Sequence, residues 1–310
     1  MIICNKKLAV CILTHNRIGL LKKTINSVLN SYSKDHEIFV FNDNSTDGTN
    51  DYLQSLENSG LIHEIRHEKG LGQWGNANFV LENVSAKYCI ILHDDDTIEP
   101  GHIGEVLKLV EMDSKIAAVG TFYNMIDMQN KIMKSVTYPD FRDPAILTDK
   151  DFFYHQMRGL GFTWSGSLIV MDKIKDFRFM TNSYFADAIF LANIIVGNKV
   201  GIIPRITVNY RIPFNRVSET DKMDFGEYLN EWFFIFGIYR DLIIRNNYGK
   251  ELAKMHRKAC TKTLFGLLVS CPSFKIYFKI LNSEFFIFTS LSFKNWLQIG
   301  YKFMKLCIGK

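Results

Sequence analysis

The first 120 residues alternate between two hydrophobic periodicities, and this alternation restricts the possible folds more than any other feature of the chain. Short β-branched or aromatic runs bounded by polar residues indicate strands, at residues 8–14, 37–42, 61–67, 88–93 and 116–122. Apolar residues at helical spacing lie between them, at residues 19–31, 76–84 and 103–112. Strands and helices that alternate through short connections predict an α/β fold, with a mostly parallel sheet covered by helices on both faces.

The remainder of the chain changes character twice. Residues 121–215 are less regular, with candidate strands at 167–171 and 205–210 and a helical stretch at 186–196. From about residue 221 the pattern is purely helical, at residues 228–245, 250–269, 274–288 and 293–304. We therefore expect a catalytic or binding domain over residues 1–215 and a helical region over residues 216–310.

Lysine and arginine are concentrated at the end of the chain. Residues 245–310 hold 12 of them and two acids, so this segment carries +10, whereas residues 1–244 carry −5. A basic amphipathic helical region predicts contact with an anionic partner. We expect a membrane surface, because aromatic and lysine-bearing faces alternate in this region. No nucleic acid is expected as a partner, because no nucleic-acid-binding module appears in the sequence.

The sequence lacks the features of a secreted or membrane-spanning chain. Its 6 cysteines form no CxxC pair, and no secretory signal precedes them. The longest apolar run is far shorter than the roughly 18 residues that a spanning helix needs. We expect a cytoplasmic protein that lies peripherally on the inner face of the cell membrane.

Polar residues follow three of the first four predicted strands, at residues 14–17, 42–45 and 93–96. In parallel sheets, ligands bind outside the carboxyl ends of the strands. The three successive carboxylates Asp94, Asp95 and Asp96 repel one another at such a rim unless a cation neutralises them. This predicts a bound Mg²⁺ or Mn²⁺. The alternative is a helix N-terminus, where the helix dipole favours acids.

A glycine-rich turn at residues 70–75 reads GLGQWG and matches the G-x-G-x-x-G pattern of dinucleotide-binding folds. In those folds the pattern belongs to the first strand–helix turn and one acid follows about 20 residues later. Here the pattern belongs to the third turn and three acids follow. A nicotinamide-dependent enzyme is therefore disfavoured.

Four motifs in register carry a resemblance to a known family. They read VCILTHNR at 10–17, FVFNDNSTDGT at 39–49, KGLG at 69–72 with Asn76, and IILHDDD at 90–96 with Pro100. Their order and spacing over residues 8–215 resemble the family 2 glycosyltransferases of GT-A fold, whose sheet is Rossmann-like. The resemblance implies an enzyme that uses a nucleotide-diphosphate sugar and inverts configuration at the anomeric carbon.

The resemblance implies a donor site at the strand ends. The residues that correspond to nucleotide-sugar contacts are Thr14, Asn16, Arg17, Asp43, Gly70, Asp94 and Arg211. Among them, Asp43 matches the carboxylate that accepts a hydrogen bond from uracil, whereas Arg17 either reaches a phosphate or begins a helix as a solvated charge. Asp95, with Asp94, matches the Mn²⁺- or Mg²⁺-binding motif.

The resemblance also implies an acceptor side. Asp187 matches the general base, although its position before an apolar helical run also suits a helix N-cap. Trp164, Ser165 and Gly166 match the loop that lines the sugar and acceptor pocket, with core packing as the alternative for the Trp164 ring. His93 either completes a metal shell or is a hydrogen-bonded structural group.

Three residues depart from the family pattern. His93 replaces the first acid of the metal motif, Ala186 replaces the Glu before the base, and Gly75 replaces the Arg before Asn76. We expect a metal-dependent enzyme that transfers a sugar from a UDP-sugar to a glycan or lipid-linked glycan in surface polysaccharide biosynthesis. The departures motivate an alternative, which is a catalytically inactive GT-A-fold protein that binds or assembles partners at the membrane.

Overall fold

The computed structural model describes residues 1–31, 33–161, 163–212, 224–286 and 293–308. The chain divides into two compact units. The first comprises Met1–Phe152 and Gly159–Asn215, and the second comprises Phe153–Arg158 and Arg216–Lys310. The domain boundary that the sequence predicts, between residues 215 and 216, lies outside the described residues.

Within the described residues, the strands all lie in the first unit. They are β1 (Ile2–Ile3), β2 (Leu8–Thr14), β3 (His36–Asn42), β4 (His63–Arg66), β5 (Val84–Ser85), β6 (Tyr88–His93), β7 (Thr97–Ile98), β8 (Ile116–Ile126), β9 (Ile132–Val136), β10 (Ala145–Thr148), β11 (Leu168–Val170) and β12 (Lys199–Arg211). The helices of this unit are α1 (Ile18–Asn30), α2 (Thr49–Asn58), α3 (Gly72–Asn83), α4 (His102–Val110) and α6 (Ala186–Ile195). Helix α5 (Asp149–Met157) crosses the division between the units.

The main sheet has the strand order β10-β12-β8-β11-β6-β2-β3-β4. Strands β6, β2, β3 and β4 are parallel, as are β8 and β12. Strand β11 runs antiparallel between β6 and β8, so the sheet is mixed rather than purely parallel. The predicted α/β fold is confirmed, and the parallel half places the carboxyl ends of β2, β3 and β6 at one edge.

Helices cover both faces of the sheet, because alternate residues of each strand point to opposite sides. Val40 of β3 belongs to the hydrophobic cluster that includes Leu21 of α1 and Leu53 of α2. Its neighbour Phe41 lies against Phe79 of α3, with 6.2 Å between the ring centroids. Strands β2, β3 and β6 are therefore buried on both sides, which explains their nearly continuous apolar sequences.

Some elements have little sequence signal. Helix α2 is polar and buries only Thr49 and Leu53, so it shows almost no apolar periodicity. Strands β9 and β10 lie at or near the edge of the sheet, where a strand needs fewer apolar residues.

The second unit is helical, as the sequence predicts. Its helices are α7 (Phe225–Arg245), α8 (Lys250–Ser270), α9 (Phe274–Leu281) and α10 (Phe293–Ile308). Asp224 caps α7 by accepting from the Gly226 amide, and Ser273 caps α9 by accepting from the Ile276 amide. In the described part of the chain, we find no helix with the length and apolar character needed to cross a bilayer.

His102 connects three elements of the first unit. Its Nε2 lies 2.8 Å from the Gly166 carbonyl and its Nδ1 lies 2.8 Å from Thr207 Oγ1. A carbonyl can only accept, so Nε2 carries the proton and Nδ1 accepts from the threonine hydroxyl. Burial lowers the pKa of His102 to about 4. The imidazole is therefore neutral in the folded protein and holds the loop before β11 against α4 and β12.

We predict that His102 makes the protein less stable as pH falls. Its pKa is about 4 when folded and about 6.5 when unfolded, so the unfolded chain binds the extra proton first and stability declines between those values. The contribution lost by pH 4 is on the order of 3 kcal/mol. Urea unfolding between pH 7 and pH 4.5 should show a shallower decline for His102→Gln than for the wild type. Equal declines would contradict this.

Candidate functional site

Asp94 lies buried where the ends of β2 and β6 meet. The Thr14 hydroxyl donates to Asp94 Oδ2 at 2.8 Å, and the His15 amide donates to the same oxygen at 3.3 Å. Arg17, which precedes α1, donates to Asp94 Oδ1 at 3.1 Å and to Asp95 Oδ2 at 3.0 Å. The structure thus brings together four residues that the sequence assigns to the donor site: Thr14, Arg17, Asp94 and Asp95.

The charges of this group are only partly balanced. Burial raises the pKa of Asp94 to about 6, while the Arg17 guanidinium opposes that rise. The Arg17 side chain is 52% exposed, so its cation also faces solvent. An arginine held by two carboxylates at an exposed rim is well placed to contact a phosphate group.

A second cluster lies beside the first and contains His93, Asp95 and Asp96. One ligand atom from each of them lies within 4.8 Å of the other two. Asp96 is fully buried, and its Oδ2 has no hydrogen-bond partner in the described part of the chain. Burial and the neighbouring Asp95 raise the pKa of Asp96 well above its usual range. Two carboxylates and an imidazole with an unsatisfied oxygen fit a divalent cation.

Asp94 is not part of this cluster, because its oxygens face Thr14 and Arg17. Asp94 as a metal ligand therefore stays a prediction. The alternative of a helix N-terminus is wrong: strand β7 follows the acids, and α4 begins only at His102.

Arg211 lies beside the acid loop and is held by several hydrogen bonds. It is 3% exposed, and its Nε donates to the Asp95 carbonyl at 2.8 Å. Its other guanidinium nitrogens bind the Asp127 carbonyl and, at 2.7 Å, Asn130 Oδ1. Its backbone amide donates to Asp96 Oδ1 at 2.7 Å. The guanidinium supports the acid loop from behind, and its contact with a diphosphate stays a prediction.

Asp43 holds the glycine turn. Its Oδ1 accepts from the Leu71 amide at 2.7 Å and its Oδ2 accepts from the Gly72 amide at 2.9 Å. A Cβ on Gly70 would lie 3.7 Å from Asp43 Oδ2. The turn amides therefore face a carboxylate of the protein, which argues further against a dinucleotide site. Gly70 and Asp43 lie together, as the predicted donor site requires.

Asn16 joins the loops that follow β2 and β3. It adopts a φ of 52°, a left-handed conformation that asparagine tolerates. Its amide donates to Ser45 Oγ at 2.9 Å, and its Oδ1 accepts from the Thr46 amide at 2.7 Å. Asn16 fixes the shape of this loop pair, and a contact with the nucleotide sugar stays a prediction.

The loop before β11 lies against the acid loop. The Ser165 hydroxyl accepts from the His93 amide at 3.1 Å. Gly166 has a φ of 85°, and a Cβ there would lie 2.9 Å from Val208 Cγ2, so only glycine fits. The Trp164 ring is buried against Phe179, with 4.9 Å between centroids. In the structure, the Trp164 ring therefore packs in the core.

Asp187 is the second residue of α6, and Phe185 is the N-cap, so the N-cap alternative is wrong. Burial raises the pKa of Asp187 above its usual range. Asp187 lies close enough to Tyr123 and Tyr210 to raise the pKa of each hydroxyl. Burial is the main reason that the pKa of Tyr210 is raised, and Asp96 and Asp95 also contribute. Tyr210 is therefore influenced by both Asp187 and the acid cluster.

Sequence reasoning missed three contributors to this site. Asp96 stands in the acid triplet but was passed over in favour of its neighbours, and its burial was the missing information. Tyr210 precedes Arg211 in a motif that drew attention only to the arginine. Thr24, whose hydroxyl lies 2.8 and 2.7 Å from the carbonyls of Asp94 and Asp96, gives no signal inside an ordinary amphipathic helix.

Comparison with known proteins adds independent findings. The family model described as "Glycosyl transferase family 2" matches residues 9–169. A GalNAc(5)-diNAcBac-PP-undecaprenol beta-1,3-glucosyltransferase from Campylobacter jejuni is 25% identical over 259 residues, which cover 82% of this chain and 79% of the relative. A putative teichuronic acid biosynthesis glycosyltransferase, TuaG from Bacillus subtilis, is 27% identical over 44% of this chain and 58% of its own length.

Solved structures share the fold at low sequence identity. S. aureus TarS 1-349 in complex with UDP-GlcNAc aligns with a TM-score of 0.64 and 13% identity, over 96% of this chain and 88% of that one. The same fragment in complex with UDP aligns with a TM-score of 0.58 and 16% identity, over 83% and 70% of the two chains. At these identities the likeness concerns the fold alone.

Proposed function

Because the chain belongs to glycosyl transferase family 2, we propose that it transfers a sugar from a UDP-sugar to a glycan or lipid-linked glycan acceptor, with inversion at the anomeric carbon. The observation that carries this proposal is the cluster of His93, Asp95 and Asp96 at the end of β6. The Campylobacter relative is named for a polyprenyl-diphosphate-linked glycan, and the similar TarS structures contain UDP and UDP-GlcNAc. Both support a donor and an acceptor of these classes in surface polysaccharide synthesis.

The donor would lie across the ends of β2, β3 and β6. In this arrangement Asp43 and Gly70 border the base, and Thr14 and Asn16 shape the adjoining loop. Arg17 faces solvent beside Asp94 and would contact the diphosphate. Protein hydrogen bonds already hold Thr14, Asn16, Arg17 and Asp43, so little reorganisation is needed on binding.

Mn²⁺ or Mg²⁺ would be held by Asp95 and Asp96, with His93 beside them. When bound, such an ion supplies positive charge to the diphosphate oxygens and stabilises the leaving group. The unpartnered Asp96 Oδ2 and the raised pKa of Asp96 both support a bound cation.

Asp187 would act as the general base. The acceptor oxygen forms a bond to the anomeric carbon from the side opposite the diphosphate, while the bond to the diphosphate oxygen breaks. Asp187 takes the proton of the acceptor hydroxyl, and the nucleoside diphosphate leaves with the bonding electrons. A base is most effective when its pKa approaches the working pH, and burial moves the pKa of Asp187 in that direction. Ser165 and Gly166 lie beside His93 and would border the sugar.

We propose that the second unit binds an anionic membrane surface through one face of α10. Leu297, Tyr301 and Met304 are 59%, 58% and 55% exposed at helical spacing. The opposite face packs on α9, where the Tyr277 hydroxyl donates to the Ile299 carbonyl at 3.2 Å. The sequence after Glu284 contains no acid, so every charged side chain of α10 itself is a cation. This supports a peripheral protein on the cytoplasmic side of the membrane.

Asp187→Asn should abolish sugar transfer while leaving UDP binding intact. General-base catalysis typically contributes 10²–10⁴-fold in rate, so we expect a loss of this size in kcat, measured with radiolabelled UDP-sugars and a lipid-linked acceptor extract. Only the ionised carboxylate accepts the proton, and the pKa of Asp187 is raised. As pH is lowered, the transfer rate of the wild type should therefore begin to fall at a higher pH than an ordinary aspartate would cause. Asp172→Asn, at an exposed position, is the control, and transfer retained by Asp187→Asn would refute the assignment.

Asp95→Asn should weaken Mn²⁺ binding by about tenfold or more, because a direct carboxylate ligand is lost. Calorimetric titration with Mn²⁺ alone, and then with UDP, measures the effect. Asp96→Asn should act similarly, with circular dichroism to confirm that the buried substitution is tolerated. Equal Mn²⁺ affinity in the wild type and in Asp95→Asn would remove the metal from the proposal. If the wild type does not turn over a UDP-sugar either, the alternative of a catalytically inactive binding protein is favoured.

The triple variant L297S/Y301S/M304S should float with anionic phospholipid vesicles about tenfold less than the wild type, because apolar area buried in the interface is lost. The matched control is I3S/L61S/M112S, which changes exposed apolar residues of the first unit. Wild-type flotation should also decrease with added salt. Equal flotation of the two triple variants would exclude this face of α10.

A further inference from the structure

A polar cleft lies on the first unit, outside the proposed transfer site. Its volume is about 400 Å³, which is within the range of small-molecule sites. The residues that line it include Lys23, Glu99, Asn124, Asn130, Ile132 and Asn209. The lining combines amide and charged groups with apolar surface from Ile126 and Ile132.

A row of hydrogen bonds builds the floor of the cleft across neighbouring strands. The Ser135 hydroxyl of β9 donates to Asn124 Oδ1 of β8 at 2.8 Å, and Asn124 Nδ2 donates to Asn209 Oδ1 of β12 at 3.1 Å. Asn209 Nδ2 then donates to Glu99 Oε1 at 2.7 Å. The two amides lie directly opposite each other in the strand register. Their orientations are therefore fixed before any ligand arrives.

The cleft and Asp187 lie on opposite faces of the sheet. Tyr123 and Tyr210 interact with Asp187, whereas the next residue of β8, Asn124, and the preceding residue of β12, Asn209, line the cleft. Successive residues of a strand point to opposite faces. A ligand in the cleft would therefore not occupy the transfer site.

We propose that this cleft is a second saccharide-binding site. The charges of Lys23 and Glu99 cancel, so the lining favours a neutral, hydroxyl-rich ligand over a phosphate. Within the described residues, Glu99 Oε2 and the Lys23 ammonium have no hydrogen-bond partner, which leaves an acceptor and a donor for sugar hydroxyls. The exposed Ile132 side chain offers an apolar surface to the C–H face of a sugar ring.

The cleft is also connected to the acid loop. Asn130, at its wall, lies in a tight turn with a φ of 65° and accepts from Arg211 Nη2 at 2.7 Å. The same guanidinium binds the Asp95 carbonyl. A saccharide bound here would lie behind the metal cluster, where it could hold another part of a long glycan chain while its end is extended. Binding at this site does not require that Asp187 is the base.

The test measures binding of free N-acetylglucosamine and free glucose to the full chain by saturation-transfer NMR, with UDP and Mn²⁺ present to fill the donor site. The cleft variant K23A/E99A changes two exposed side chains. We expect it to weaken sugar binding by at least fivefold and to leave transfer to a short acceptor unchanged. The matched control K22A/E111A removes a lysine that contacts the Tyr52 ring and an acid paired with Lys7, and it should bind sugar as the wild type does.

Three outcomes would overturn the proposal. They are equal sugar binding by the cleft variant and the wild type, loss of binding in Asp187→Asn, and no binding of either sugar by the wild type. Inorganic phosphate is tested as an alternative ligand. If the wild type binds phosphate and K23A/E99A does not, the ligand of the cleft is an anion and not a saccharide. If Asp187→Asn retains sugar transfer, the proposed base is refuted, whereas the proposal for the cleft is unaffected.

Discussion

The structure depends on how the acids after β6 are kept together at a partly dry edge of the sheet. Asp94 is buried and can be accommodated because Thr14, the His15 amide and Arg17 all contact its carboxylate. Asp95 shares the arginine, whereas Asp96 is buried with one oxygen that accepts no hydrogen bond and lies 3.9 Å from His93 Nδ1. Burial raises the pKa of both Asp94 and Asp96, so holding the three acids together has an electrostatic cost. The proposed cation would reduce that cost.

The sequence predicted much of the first half of the fold. The bounds of β2 and β6 agree with the predicted strands to the residue, because each is a continuous buried run with a polar residue at its end. Pairing between distant segments could not be predicted in the same way. The antiparallel β11 lies between β6 and β8, and its three residues give no sequence signal for that position.

The sequence indicated where the candidate site residues lie better than it indicated what each side chain contacts. Thr14, Arg17, Asp43 and Asp94 could be found because they follow strands whose ends meet. The environment of each side chain was not available from the sequence. The sequence motif suggests that Arg211 binds an anion, yet its guanidinium is buried behind the acid loop. The Asp96 oxygen without a hydrogen-bond partner is a result of packing, which the sequence does not show.

The position of β11 also has a consequence for variation in this chain. Because β11 pairs with both β6 and β8, Ser165 reaches the His93 amide although 72 residues separate them. The segment between them includes β8, which pairs with β11 and β12, and also β9 and β10, which lie at or near the edge of the sheet. The edge strands do not pair with β6 or β11, so their sequences can change while His93 and Ser165 keep their places.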